Sequence, residues 1–332
     1  MHLAEMTVAG NEASDLLRVH DASLLASLGA TSAFWTVLDE GPVEECLAVL
    51  CCHPDGTWTA QHVAANAGVN TGRTEDGEAL AYLDGWVYVL GSHFGSKKGP
   101  LRPKRAFVAR FRESATPQLE IVRNKFALHR VINDALLKVA GEVADIVRER
   151  FILGTRERGL ARGKTWTAHL LDSDHPINIE GAAFTASGTL LIGLRWPVTS
   201  AGEPLLVELA GIPGLFAGGD VSVAGVYPLI ETGAGPLGVR ALSARADGTF
   251  DVVIGSIDAI DKGSVLLDAH PQARDVTCRH YRFALPATPG PVKPELVADL
   301  TPLHHVEGVS EWEGQELYVT DEDHRVALYQ RF

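Results

Sequence analysis

The sequence is poor in cysteine, in positive charge and in long apolar runs, and each shortage narrows the field. Only four cysteines occur in 332 residues: Cys46, Cys51, Cys52 and Cys278. None belongs to a C-x-x-C pair with a partner pair, so the spacing offers no zinc site. Cys51 and Cys52 are neighbours in a predicted strand and point to opposite faces; free buried thiols in a reducing cytoplasm are the expectation. Lys and Arg number 29 against 42 Asp and Glu, a net charge of −13. A chain that neutralises nucleic-acid phosphates is ordinarily basic, so no nucleic-acid partner is expected. No run approaches the roughly 18 apolar residues of a membrane helix, so no membrane partner is expected. The opening "MHLAEMTVAGNEAS" has no basic start and no apolar core, and does not read as a secretory signal. G-x-S-x-G, H-E-x-x-H and a G-x-G-x-x-G after a strand are also missing, and no nucleotide cofactor is expected.

What the chain does contain is repetition. "NIEGAAFTASGTLLIGLRWP" from Asn178, "DGEALAYLDGWVYVLGSH" from Asp76 and "HVEGVSEWEGQELYVTDED" from His305 share one plan. Each has a Glu, a short strand, a turn with Gly, and a second strand rich in β-branched or aromatic residues. "GVRALSARADGTFDVVIGS" from Gly238 is a fourth copy with Arg240 in place of the Glu, and "DASLLASLGATSAFWTVLDEG" from Asp21 a weaker fifth with Ser23 there. One or two further strand-like runs follow each pair, so a copy has the four strands of one blade. Such a period in an all-strand chain predicts radial repetition, an all-β single β-propeller of five blades, with six as the alternative.

The predicted blades are about 21–70, 76–123, 178–230, 238–300 and 305–332, all one domain over 1–332. The last copy has only three strands, and residues 2–8, "HLAEMTV", are predicted to supply the fourth and close the ring. The interval between Glu78 and Glu180 is nearly twice the others. Residues 126–151 fill it with apolar side chains at helical spacing, which predicts one amphipathic helix within an insert over 124–172, covering a face of the ring.

In a propeller the first strand of each blade lines the axis, so one slot of the repeat becomes a ring. Glu78, Glu180, Arg240 and Glu307 are predicted to meet there. Converging carboxylates must be relieved. Arg240 can bridge them, or Ca²⁺ or another divalent cation can sit among Glu78, Glu180 and Glu307. A second ring is predicted where second strands run into loops: Asp39, His93, Arg195, Ser256 and Asp321. His93 titrates near neutrality and is the candidate acid or base. The loop "SHFGSKKGPLRPKR", with Lys97, can hold a phosphate or sulfate at the mouth. This loop and the basic run 148–164 otherwise read as solvated surface.

The strings "NIEGAAF…LLIGLRWP", "DGEALAYLDGWVYVLGSH" and "GVRALSA" resemble a bacterial family known only as a domain of unknown function and assigned to the β-propellers. The element from Glu180-Gly181 to Arg195 and Pro197 carries most of that resemblance. Glu307-Gly308 with Leu317 to Glu322 is similar to the esterase-like phytase domains. The senescence-marker and gluconolactonase propellers also use a Glu of an E-G element, which binds a divalent cation in the channel, although the Pro that follows E-G there is absent here. These resemblances imply a hydrolase of a lactone, ester or phosphoester with Glu180 among the residues that hold a cation; the residues themselves offer His93 or a spare carboxylate as the catalytic proton shuttle. Two other readings are open at this point: a non-catalytic module in which Arg240, Arg195, Asp39, Asp321 and Lys97 hold a small anionic ligand or a protein partner, and a purely structural channel.

Overall fold

Residues 178–184 and 190–196 are buried at every position, on both faces of the strand, which a sheet packed between two other sheets requires. The computed structural model describes residues 2–8, 12–38, 41–259, 263–274, 276–322 and 325–330. These form five four-stranded antiparallel sheets. Strand β1 is His2–Met6. One sheet runs in chain order through β2 (Ala13–Arg18), β3 (Ser32–Leu38), β4 (Leu47–Cys52) and β5 (Trp58–His62), and the next through β6 (Gly77–Leu83), β7 (Trp86–Gly91), β8 (Val108–Arg112) and β9 (Glu120–Val122). A third contains β10 (Asn178–Phe184), β11 (Leu190–Trp196), β12 (Leu205–Ala210) and β13 (Ser222–Pro228). A fourth contains β14 (Gly238–Ala244), β15 (Phe250–Gly255), β16 (Arg279–Phe283) and β17 (Glu295–Asp299). The last consists of β18 (Val306–Trp312), β19 (Gln315–Glu322), β20 (Arg325–Gln330) and, beside β20, β1.

The first strands touch in a closed cycle, β2 to β6, β6 to β10, β10 to β14, β14 to β18 and β18 back to β2. That is the arrangement of a β-propeller. The final sheet is completed from the other end of the sequence, with His2 opposite Tyr329 and Met6 opposite Val326.

Two local expectations are corrected. Residues around Ser23 are not an inner strand: Ala22–Leu28 is a helix, and the inner strand is Ala13–Arg18. The Asp21 carboxylate caps the helix by accepting from Leu24 N–H, and Gly29 ends it in the left-handed conformation. With Ala and Leu between those caps, helix wins over strand. The single helix over 126–151 is also broken. Ala127–Leu136 is one helix, and 145–160 is a second with a π-helical turn at Arg148–Leu153. Between them Ala140 pairs with Thr199, and Gly141 N–H donates to the Val198 carbonyl at 2.9 Å. A Cβ on Gly141 would lie 3.0 Å from Ser200 backbone, so the chain leaves the helix to reach this loop.

The insert and the loops that follow second strands share a separate apolar core, which includes Phe94, Phe126, Phe151, Leu170, Trp196 and Leu266. It forms a cap over the end of the ring where the first strands begin.

Candidate functional site: an axial ring and a basic cleft in the cap

Each first strand carries a β-bulge at the repeated slot. Ile179 pairs with Leu194 and Gly181 with Gly193, leaving Glu180 unmatched. The same skip isolates Glu78 between Gly77 and Ala79, Arg240 between Val239 and Ala241, and Glu307 between Val306 and Gly308. In the first sheet the skip falls between Ser14 and Leu17, and contains Asp15. A bulge turns the extra side chain out of the ladder, here toward the neighbouring first strands. The residue after the slot must be small where the next strand comes close. A Cβ on Gly181 would sit 2.7 Å from the Leu242 nitrogen, and one on Gly308 would sit 2.7 Å from the Asp15 carbonyl carbon. The E-G dipeptide is therefore a packing device of the ring.

Three of the slots, Glu180, Arg240 and Glu307, come together with Arg195 as an ion-pair chain. Glu180 is 4% exposed; Arg195 Nη1 lies 2.9 Å from its Oε1 and the Asn178 amide donates to the same oxygen at 3.0 Å. Arg240, 2% exposed, places Nη1 3.9 Å from Glu180 and Nη2 against Glu307. Arg195 also donates through Nε to the carbonyl of Ser256, another residue of the predicted second ring, at 3.2 Å, so its side chain touches both rings. Burial, and after it Arg195, pull the Arg240 pKa down against Glu180. For Arg195 burial pulls down too, but Glu180 and Asp258 outweigh it and the pKa is raised. Glu78 lies within electrostatic reach of both arginines.

The bridging arrangement is thus the one present. Among the described residues no three of His, Cys, Asp and Glu gather as a metal-holding group. Glu180 and Glu307 are each engaged by a guanidinium, and the residues present do not fit a cation shared by Glu78, Glu180 and Glu307.

Sequence reasoning missed Asp15. Its backbone is left-handed, at φ 63°, and its carboxylate accepts from Leu16 N–H at 2.7 Å and Leu80 N–H at 2.6 Å. Burial, with no cationic partner among the described residues, lifts its pKa to about 7, against the pull of those two donors. The signal was an acid beside Ala13, Leu16 and Leu17 in "ASDLLR", ahead of "SAFWTVL". A further buried acid, Asp76, precedes β6. It pairs with Arg105 at 2.7 Å and accepts from Ser92 Oγ; burial raises its pKa and Arg105 opposes that.

His93 is fully buried with φ 61°. Its Nδ1 lies 2.9 Å from the Gly91 carbonyl, which requires a proton there, and its Nε2 is 2.8 Å from the Asn124 amide nitrogen. Burial holds its pKa down to about 4, so the ring is neutral at pH 7 with both nitrogens committed. Lys97 lies on the cap loop and its carbonyl accepts from Val265 N–H at 3.0 Å. Asp39 lies outside the described residues. Asp321 lies in β19 opposite Val326, and its side chain is outside the described set.

The two basic segments, separate in sequence, converge. The 92–105 loop, the chain leaving β9 and the helix and turn over 154–166 enclose a cleft of about 600 Å³. Arg102, Arg123, Lys125, Arg158, Arg162 and Lys164 line it, and among the described residues no acidic side chain does. Arg102 is shared with Glu75 at 3.3 Å. Among the described residues the other five make no ion pair. Arg123 Nε is buried with no hydrogen-bond partner. The walls are latched together: Leu101 N–H donates to Thr155 Oγ1 at 2.9 Å, and Gly99 lies so close that a Cβ there would be 2.4 Å from the Arg150 carbonyl oxygen.

No protein-family model matches this sequence, and neither does any curated protein. Several solved structures are similar over nearly the full chain. A family-43 β-1,3-galactosidase solved with galactodeoxynojirimycin is 12% identical, covering 96% of this chain and 90% of its own, with a TM-score of 0.48. A glucose dehydrogenase is 13% identical, covering 100% and 98%, with a TM-score of 0.42. A gluconolactonase-like protein is 13% identical, covering 100% and 91%, with a TM-score of 0.40. At such identity their activities stay with those proteins.

Proposed function

We propose that the chain is a five-bladed propeller that binds a small anionic ligand in the basic cleft of its cap. One observation carries this reading: five cationic side chains that make no ion pair among the described residues line one cleft in a protein of net charge −13. Like charges held together repel, and an anion that enters gains from all of them at once. Guanidinium groups also offer forked donors that match carboxylate, sulfate or phosphate oxygens. The axial ring has a structural role in this reading, since Glu180 and Glu307 are already matched by Arg195 and Arg240.

The test is thermal unfolding in sulfate, citrate and pyrophosphate against chloride at matched ionic strength. The three multivalent anions raise the Tm of the wild-type chain, and the Arg158→Glu/Arg162→Glu double variant loses the effect. No stabilisation by any of the three refutes the reading. A second reading is hydrolysis of an anionic ester, and one observation favours it: Asp15, a buried carboxyl poised near pH 7. Turnover of a lactone, aryl-ester and phosphoester panel, lost in Asp15→Asn, would support it.

A further inference from the structure

The cleft is specific enough to name a class of ligand, an inference that rests on the anion-binding reading above. Its charge is the first constraint. A phosphoryl group carries about −1.5 to −2 charges at neutral pH, so one group leaves most of the five unpaired cations unanswered. Two or three groups balance them. The second constraint is their spread over different walls: Arg123 and Lys125 on the chain leaving β9, Arg158 on the last turn of the Gly154–Leu160 helix, Arg162 and Lys164 on the turn beyond it. A ligand that touches all of these presents several anionic groups in a row. The third constraint is volume. About 600 Å³ is the size of pocket that holds an organic molecule, far more than an inorganic ion fills.

One wall is aromatic. Trp166 lines the cleft and is half-buried, held edge-on to Phe126 at 5.3 Å between ring centres. A Cβ on Gly159 would lie 2.6 Å from the indole, so the helix backbone and the ring are in direct contact and the indole is fixed. A rigid indole beside a cationic bed suits an apolar or planar body attached to the phosphoryl chain.

We propose that the cleft binds a small organic oligophosphate, with two or three linked phosphoryl groups on Arg123, Lys125, Arg158, Arg162 and Lys164 and the organic body against Trp166. Charge-assisted, forked contacts account for the phosphoryl part, and the fixed indole for selection of the organic part.

The experiment is calorimetric titration of the full chain at constant ionic strength with orthophosphate, pyrophosphate, tripolyphosphate, citrate and adenosine triphosphate as the organic triphosphate probe. Affinity is expected to rise roughly tenfold from orthophosphate to pyrophosphate, as further charge-assisted contacts form. It rises again to tripolyphosphate, and adenosine triphosphate binds more tightly still. Arg162→Glu, an exposed position, weakens the whole phosphate series. Equal binding of orthophosphate and tripolyphosphate, or citrate as tight as tripolyphosphate, overturns the oligophosphate assignment while leaving the anion-binding reading standing. Adenosine triphosphate no tighter than tripolyphosphate overturns the organic body. No binding by any anion overturns both readings. The decisive comparisons use the wild-type chain, so they do not depend on how a variant folds.

Discussion

Arg240→Met tests the axial ring most directly. Arg240 is almost wholly buried and bridges Glu180 and Glu307 across two sheet boundaries. Met keeps much of the stem volume and removes the charge. Glu180 retains Arg195 at 2.9 Å and the Asn178 amide at 3.0 Å, so its loss is partial. Glu307, its side chain 12% exposed, loses its guanidinium with little water to replace it. Breaking a buried pair by removing one partner costs about 3–5 kcal/mol, and the slight exposure of Glu307 points to about 3. An unfolding entropy of about 2.1 cal/mol/K per residue gives roughly 0.7 kcal/mol/K for this chain, so the expected loss is about 4 °C in Tm. Calorimetric melting of wild type, Arg240→Met, Glu307→Gln and the double variant measures the coupling. The double variant should recover most of the loss, because it no longer buries an unanswered carboxylate. An Arg240→Met protein that melts within about 1 °C of wild type, or a double variant no better than the single, refutes the ion-pair account of the ring.

Two other predictions concern the same ring. Asp15 is an acid whose folded pKa, about 7, lies above its ordinary 3.8, so the folded state holds more protons between those values. Stability contributed by its protonated form is therefore complete below pH 3.8 and lost as pH rises through 7. Denaturant melts from pH 4 to 8 should show this decline in wild type and a flatter profile in Asp15→Asn. Gly181→Ala should cost about 1–3 kcal/mol in the same melts by driving a methyl into the Leu242 backbone, and an unchanged midpoint would contradict the close approach of β10 and β14.

The ring was legible in the sequence because one slot recurs with the same grammar: a charged residue, a small one, a strand, a glycine turn. Glu78, Glu180, Arg240 and Glu307 share it, and the structure brings Glu180, Arg240 and Glu307 into contact. The first copy broke the grammar, with Asp15 for Glu and Leu16 for the small residue, and the helix caps at Asp21 and Gly29 were overlooked. Alternation in "ASLLASL" suits strand and helix alike, and only the caps decide between them. The break at Gly141 was invisible because it depends on Val198 and Ser200, far along the chain. The cleft was missed for the same reason. Read alone, 92–105 is a basic loop that can hold a phosphate or sulfate, and 148–164 is a basic surface run with no sign of a partner. Only the folding of the insert back across the cap sets them face to face, and no local periodicity encodes that.

The pairing of β1 with β20 has a consequence for how the molecule comes together. Four of the sheets are assembled from strands that follow one another, and each can zip up from a nearby turn. The last needs Met6 to meet Val326, so its closure spans nearly the whole described chain and carries the largest loop entropy of any pairing here. Until that seam forms, β20 presents a bare row of amide and carbonyl groups to any other strand it encounters. The seam is thus the pairing expected to close last, and the place where two copies caught half-folded would exchange β1.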